Sequence, residues 1–527
     1  MIWSHGKPIV LAAILVVAVT VYVASFTYTV GHGIDDGIHI VTAKSLAAGQ
    51  GLRLISDPQR PVSTQFPPGL SLLLVPVVTL FPDPPGSIIP LKLVSTVFAL
   101  LYVAVAWFWL HRHVPPSTAA LLTMITAINP ETIRFAGQVM AEMSYAAVSM
   151  AGLVCVERYE KATDTTSRGR RWLVVAVLMM TTGYLFRSIG LSLILAVLGL
   201  LALRRRWVAV VAVIVGVLVL ASPWLMRSAV VGTPEYRDQF WLKDLEDPER
   251  GRIGVSGLIE RAAANAVVYT TQAIPDHLFP PLGGQRVIDW CRQAGVFPLL
   301  IGARLCLSAF VVAGFWQRVR TRVEVLDLYT VVYFGTLLLW HNRLHWKYLA
   351  PVTPILLVYL TRGLEWMMSR LPRFPVPVRA ALPAVLLLLL VGNGVRGVDY
   401  VENGWLVQGK VDPYRAAYGW LKAETPPYSR LMGIDHLGLY LYTGRKAIAP
   451  GYGHNPADVL RYIESTRTDY FVVAPGQVTS NGVRLDEQFL RPVIARYPDR
   501  FTLVYTDPQT AIQVYRVGLA TERRERK

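Results

Sequence analysis

Pro8–Thr29, PIVLAAILVVAVTVYVASFTYT, runs straight into Val30-Gly31-His32-Gly33-Ile34-Asp35-Asp36-Gly37-Ile38-His39. A bilayer-spanning helix takes about 20 apolar residues, and this run supplies them. It follows Lys7 and has no small-residue cleavage pattern, so it reads as a retained helix and not a signal peptide. Two carboxylates therefore stand where the first span leaves the membrane. Further apolar runs follow at Pro90–Leu110, Ser117–Asn129, Gln138–Val156, Trp172–Phe186, Ile189–Leu203, Trp207–Leu225, Gly295–Trp316, Leu326–Trp340, Ala350–Trp366 and Ala380–Val395. The spacing predicts a polytopic α-helical membrane protein of about eleven spans, with soft boundaries because several runs are short.

Composition agrees. Of 527 residues, 53% are hydrophobic and 17% charged, and the mean hydropathy is +0.39. Soluble domains carry about a quarter charged residues, so a disordered chain, a coiled coil and a cytosolic enzyme are excluded. The net charge of +17 comes from 52 Lys and Arg against 35 Asp and Glu. In a soluble protein that excess would suggest nucleic acid. Here it falls in short loops between apolar runs and encodes topology, so no nucleic-acid partner is expected. Three cysteines are too few for a disulfide framework.

Arg112, Arg158, Lys161, Arg168, Arg170, Arg171, Arg204–Arg206, Arg318, Arg320, Arg322, Arg370, Arg373 and Arg379 occupy alternate loops. The positive-inside rule then places the N-terminus in the cytoplasm and the C-terminal tail outside. Residues 1–397 form the membrane domain, with external loops 31–89 and 226–294, and residues 398–527 form the tail. Tyr414–Lys422 and Asp458–Arg467 have helical spacing, while Arg430–Ile434, Leu439–Tyr442, Tyr470–Val473 and Thr502–Tyr505 read as strands. The tail is thus a small α/β extracytoplasmic domain with a charged, disordered end at Glu522–Lys527.

Chemistry would have to come from carboxylates and cations at the outer membrane edge. Asp35 and His39 share a helix face, four residues apart. One Asp suffices to cap a helix, which leaves the other for function. Glu142 lies near the outer end of a span, where it either reaches water or faces a partner. Arg187 either snorkels to the interface or binds a lipid phosphate. Arg227 follows a span at the same face. The turn His341-Asn342-Arg343-Leu344-His345-Trp346-Lys347-Tyr348 reads equally as an aromatic anchor belt or as a site for an anionic headgroup. Thr64-Gln65-Phe66-Pro67-Pro68-Gly69 opens a short apolar helix at the interface. No metal, P-loop or dinucleotide motif occurs.

DDGIHIVTAKSLAAGQG at Asp35–Gly51, TQFPPGLSLLL, Met140-Ala141-Glu142, FRSIGLSLILA around Arg187, PWLMRSAVVGTPEY around Arg227 and KYLAPVTP around Lys347 together resemble the GT-C class of polytopic glycosyltransferases. The likeness is to the bacterial branch that includes protein O-mannosyltransferases and the lipid A aminoarabinose transferases. DPYRAAYGWLK and LYLYTGRKA in the tail are similar to the α/β domains of that branch. The resemblance implies an enzyme of the bacterial inner membrane. It would move a sugar from a polyprenyl-phosphate donor to a lipid, glycan or protein acceptor, inverting at the anomeric carbon. It also implies Asp35 as general base, Asp36 as its support and Glu142 as a further acid. Arg187, Arg227 and Lys347 would hold phosphate, with His39, Gln65 and His345 beside them. Many relatives have Lys where this chain has Gln65, Arg in place of Lys347 and Tyr in place of His39. No cofactor is required, because a monophosphate leaves without a second charge; divalent cations occur in some relatives and stay open. The competing expectations are a polysaccharide polymerase or ligase using lipid diphosphate-linked glycans, which predicts no acidic pair after the first span, and a lipid-linked sugar transporter. A transporter would need polar groups near the midplane, where Arg304 is the main charge.

Overall fold

The computed structural model describes residues 2–64, 66–162, 167–231, 235–243, 250–341, 346–370, 378–410, 412–450, 455–475 and 484–518. The membrane domain contains α1 (Ile2–Ala24), α2 (Ile34–Ala47), α3 (Gly69–Leu80), α4 (Ile88–Leu110), α5 (Pro116–Ile128), α6 (Pro130–Ala136), α7 (Glu142–Lys161), α8 (Ser167–Phe186) and α9 (Leu191–Leu203). It continues with α10 (Trp207–Val231), α11 (Glu235–Trp241), α12 (Val255–Val268), α13 (Ile274–Leu278), α14 (Gln285–Gln293), α15 (Phe297–Thr321), α16 (Val325–Leu339), α17 (Thr353–Arg370) and α18 (Val378–Glu402). The apolar runs fall on α1, α4, α5, α7–α10 and α15–α18. The short helix α3 packs on α2, and both belong to the first inter-span loop.

Among the described residues, Ile88–Leu110, Trp207–Val231, Phe297–Thr321 and Leu382–Gln408 are long and apolar enough to cross a membrane. Their outward faces carry bare apolar side chains such as Val97, Phe108, Val208, Val219 and Leu388. In water that surface would be costly; lipid accepts it. Inside the bundle, Tyr22, Tyr102, Tyr145, Tyr329, Tyr333 and Tyr359 are fully buried. Their hydroxyls are satisfied: Tyr22 donates to the Ala127 carbonyl at 2.8 Å, Tyr102 to that of Ala350 at 2.7 Å, and Tyr145 meets Tyr329 at 2.8 Å. At one end of the bundle the basic loops are tied together. Arg112 pairs with Glu157 at 3.3 Å, Arg204 with Glu160 at 3.8 Å, and Arg362 donates to the His113 carbonyl at 2.9 Å.

At the other end sits the C-terminal domain. It comprises α19 (Trp405–Gln408), α20 (Arg415–Glu424), β1 (Arg430–Gly433), α21 (His436–Thr443), β2 (Lys446–Ile448), α22 (Pro456–Ser465), β3 (Tyr470–Val473), α23 (Arg491–Arg496), β4 (Phe501–Thr506) and β5 (Gln513–Val517). The sheet order is β2-β1-β3-β5-β4, with β1 parallel to both β2 and β3 and the last two strands antiparallel. Alternate residues serve two cores. Leu431 and Val472 pack with α20 and α21, while Met432, Phe471 and Val473 pack with α22 and α23.

Leu439–Tyr442, expected as a strand, is part of helix α21. Asp435 accepts from the Gly438 N–H at 3.2 Å at its start, and Gly444 ends it in the left-handed region at φ 73°. A short apolar run has no period of its own, and here the caps at both ends decide it. Cys291 is buried on α14. β2 and β5 have no counterpart in the sequence reading, because three to five residues give little alternation to detect. Glu522–Lys527 lies outside the described residues.

α15 and α17 approach each other closely. A Cβ on Gly314 would lie 1.8 Å from the Tyr359 carbonyl oxygen, and one on Gly363 would lie 1.9 Å from that of Phe310. Small residues permit this backbone approach, the usual device of helix pairs in lipid. Gly314→Val is therefore expected to lower stability by about 1–3 kcal/mol or more, read as an earlier thermal melt of detergent-solubilised protein. Gly302→Ala on the same helix faces open space and should melt like wild type; equal melts for both would contradict the packing argument.

Candidate active site

The first loop returns to the bundle through α2. Gly33 begins this helix without a side-chain cap, and Asp35 and Asp36 stand in its first turn, where the helix dipole favours anions. The two carboxylates then diverge. Asp36 folds back, accepting the Gly31 N–H at 2.7 Å and the Gly37 N–H at 2.8 Å, so it braces the loop that carries its neighbour. Asp35 points towards Lys347, whose Nζ lies 3.3 Å from its Oδ2. Glu142 begins α7, fully buried, and pairs with Arg187 at the end of α8. Tyr348 links the two cations: the Arg187 guanidinium and the Lys347 ammonium each lie 5.5 Å from its ring centre.

Two cavities meet at Asp35 and Met140. The first, about 210 Å³, is walled mainly by apolar side chains including Phe66, Phe186, Ile189, Leu337 and Trp340. Asp35, His39, Glu142 and Arg187 are its polar groups, with Ser188 and Thr336. The second, about 650 Å³, is polar, and its charged lining is Asp35, Asp36, His32, Lys92, Arg134 and Lys347. An apolar slot ending in an arginine thus abuts a wet, cationic chamber, and one carboxylate serves both.

The expected residues Asp35, Asp36, His39, Glu142, Arg187 and Lys347 all line this pair of cavities. His39 stacks at 4.9 Å on Phe66, and burial lowers its pKa to about 4, so it is neutral. Arg227 lines neither cavity. It donates to the carbonyls of Leu52 and Ser63, both at 2.9 Å, and ties the first loop to α10. Gln65 and His345 lie outside the described residues.

Three further groups escaped the sequence reading. Lys92, buried near the start of α4, donates to Thr27 Oγ1 at 2.9 Å; a lone lysine in an apolar run was the available signal. His32 Nδ1 lies 2.5 Å from Asp435 Oδ2, and Tyr418 donates to the same oxygen at 2.5 Å. The His32 ring is stacked on Tyr414 at 4.0 Å and Tyr442 at 5.0 Å. The Val30 N–H reaches Tyr442 Oη at 3.1 Å, and a Cβ on Gly37 would lie 2.7 Å from Leu437. The C-terminal domain therefore forms one side of the loop that presents Asp35. No local pattern encodes a contact between residues 403 positions apart.

Compared with solved structures, the chain matches ArnT from Cupriavidus metallidurans in the apo state with a TM-score of 0.58 and 15% identity, over 97% of this chain and 98% of that one. It matches the same protein bound to undecaprenyl phosphate with a TM-score of 0.58 and 16% identity, over 96% and 97%. The archaeal oligosaccharyltransferase AglB from Archaeoglobus fulgidus, in complex with an inhibitory peptide and a dolichol-phosphate, matches with a TM-score of 0.57 and 12% identity, over 97% and 75%. The chain shares the polytopic fold of these structures over nearly its whole length. No family model and no curated protein matches the sequence.

Within this fold the acidic pair has opposite electrostatics. Burial disfavours the Asp35 carboxylate, but Lys347 and Arg187 outweigh it and hold its pKa below the ordinary value. Burial dominates at Asp36 and raises its pKa to about 6, despite two backbone donors and His32. Burial also opposes a charged His32, yet the Asp435 carboxylate beside it raises its pKa. A carboxyl raised in the fold stabilises while protonated, so the Asp36 contribution fades as pH rises from its ordinary 3.8 towards about 6. Infrared difference titration should show protonated-carboxyl intensity disappearing near pH 6 that shrinks in Asp36→Asn, with Asp276, which burial also raises to about 6, supplying the remainder. An undiminished band in the variant would assign it elsewhere.

Proposed function

We propose that the chain is an inverting glycosyltransferase that takes a sugar from a polyprenyl-phosphate donor and works on the extracytoplasmic face of the bacterial inner membrane. The observation that carries this reading is the placement of Asp35 between an apolar slot holding Arg187 and a polar chamber holding Lys347. The GT-C fold supports it, and so do the lipid phosphates named with the two similar structures: undecaprenyl phosphate with ArnT and dolichol-phosphate with AglB.

In this mechanism the prenyl tail lies in the apolar slot and the acceptor enters the polar chamber. An acceptor hydroxyl attacks the anomeric carbon, the bond from that carbon to the phosphate oxygen breaks, and the hydroxyl proton passes to Asp35. The leaving group is a lipid phosphate anion, and Arg187 and Lys347 stabilise its growing charge. Glu142 holds Arg187 in position. An Asp held low is a weak base, so the donor itself must help. When its phosphate draws on Lys347 and Arg187, their hold on Asp35 loosens and its proton affinity rises. No divalent cation enters these steps; dependence on one is read by assay in chelator.

With purified protein in nanodiscs, Asp35→Asn should lower transfer by about 10²–10⁴-fold while undecaprenyl phosphate still binds. Turnover close to wild type would sink the assignment of the base. Truncating Arg187 or Lys347 should raise the donor KM more than it lowers kcat.

The orientation has its own test. Ser465, exposed on α22, becomes the single thiol when Cys155, Cys291 and Cys306 are replaced. In intact spheroplasts a membrane-impermeant maleimide should label Ser465→Cys. Labelling only after permeabilisation reverses the topology.

A further inference from the structure

A third cavity, of about 460 Å³, opens at the same end of the bundle between the end of α1, the α5–α6 turn, α13 and the end of α18. Its volume falls among small-molecule sites of about 300–1,000 Å³. It shares Thr27 with the polar chamber, and Lys92 of that chamber donates to Thr27 Oγ1 at 2.9 Å. A second link crosses the same wall. Glu131 lines the third cavity, and its carboxylate stands 3.7 Å from Arg134 of the chamber. The transfer mechanism uses none of its residues.

The lining has a definite chemistry. Arg396 and Asp399 form a pair at 2.9 Å on the last turns of α18, with Tyr400 and Asn403 beside them. A guanidinium–carboxylate pair and a side-chain amide offer donors and acceptors side by side, which suits neighbouring hydroxyls. Tyr400 adds a flat ring for the C–H face of a pyranose. Two buried polar atoms on lining residues have no hydrogen-bond partner, Glu131 Oε2 and His277 Nδ1. Glu131 is 8% exposed and His277 3%. Buried polar groups ordinarily find partners, so both are open to a ligand. The wall carries no net charge. Glu131 pairs with Arg134 at 3.7 Å, Asp276 with Arg304 at 2.8 Å and Asp399 with Arg396 at 2.9 Å, so an uncharged ligand suits it better than an anion.

We propose that this cavity is a glycan subsite, binding an uncharged, hydroxyl-rich sugar of the acceptor at a distance from the bond being made. The inference rests on the transferase reading and narrows its acceptor to a glycan-bearing molecule. The acceptor would lie across the Thr27 wall, with its reacting hydroxyl at Asp35 and a remote sugar between α18 and α13.

The test uses the full chain in nanodiscs on an array of neutral di- to tetrasaccharides of glucose, galactose, mannose, rhamnose and N-acetylglucosamine, with a peptide set as a second arm. Wild type should be retained by at least one oligosaccharide. Asn403→Leu and Asp399→Ala should each weaken that retention by about tenfold or more, the usual scale for a lost hydrogen bond to a charged or buried group. Undecaprenyl phosphate binding should stay at the wild-type level in both. Asn403 is exposed at the helix end, so its variant carries the test if Asp399→Ala melts early. Retention by no oligosaccharide, equal retention by the variants, or selective retention of peptides each overturns the subsite. Loss of undecaprenyl phosphate binding by wild type, with glycans still retained in a variant-sensitive way, would instead remove the transferase reading and leave the glycan site standing.

Discussion

Lys347 and Asp35 are 312 residues apart in the chain and 3.3 Å apart in the fold. At the mouth of an apolar bundle neither charge is tolerable alone, and the same holds for Arg187 and Glu142. Pairing therefore dictates where four elements must end: the first turn of α2, the Trp346–Tyr348 turn, the start of α7 and the end of α8. The tight α15–α17 crossing and the buried tyrosine hydroxyls hold the helices that make those ends meet. A membrane bundle has little hydrophobic drive between its own helices, so close backbone approach and satisfied polar groups supply the specificity.

The two central cavities differ because their walls come from different environments. Phe186, Ile189 and Leu337 belong to the apolar bundle, whereas Lys92, Arg134 and Lys347 share their chamber with His32, Asp35 and Asp36 of the first loop. A ligand with one greasy and one charged end is sorted by that contrast alone. Asp35 stands at the boundary, which is the only place from which one carboxylate can influence both ends of such a ligand.

Much of this was legible in the sequence. Each apolar run became a helix because about 20 consecutive apolar residues have few alternatives. The charges that converge were legible too, since each interrupts an apolar stretch at the same depth. What escaped is instructive. For Asp36 the resemblance implies a supporting role but not its means, the bonds it accepts from the Gly31 and Gly37 N–H groups. Arg227 looks identical to Arg187 in sequence, yet its guanidinium is spent on two backbone carbonyls of the first loop. Leu439–Tyr442 alternates too briefly to tell helix from strand, and the decision rests on Asp435 and Gly444 at its ends. Pairings such as His32 with Asp435 leave no trace in local pattern, because nothing near either residue depends on the other.

That last contact has a consequence for how the molecule is made. The loop bearing Asp35 leaves the ribosome well before the surface it packs on, because Asp435 follows His32 by 403 residues. At about 5–20 residues per second, the loop waits roughly 20–80 s for the surface that completes it. During that interval the carboxylate pair stands without Tyr414, Tyr418, Tyr442 and Asp435 around His32. Lys347 is also made before that surface, so a nascent chain passes through a stage that has the charges of the site but not its cover of aromatic rings, and the assembled geometry is withheld until the C-terminal domain is made.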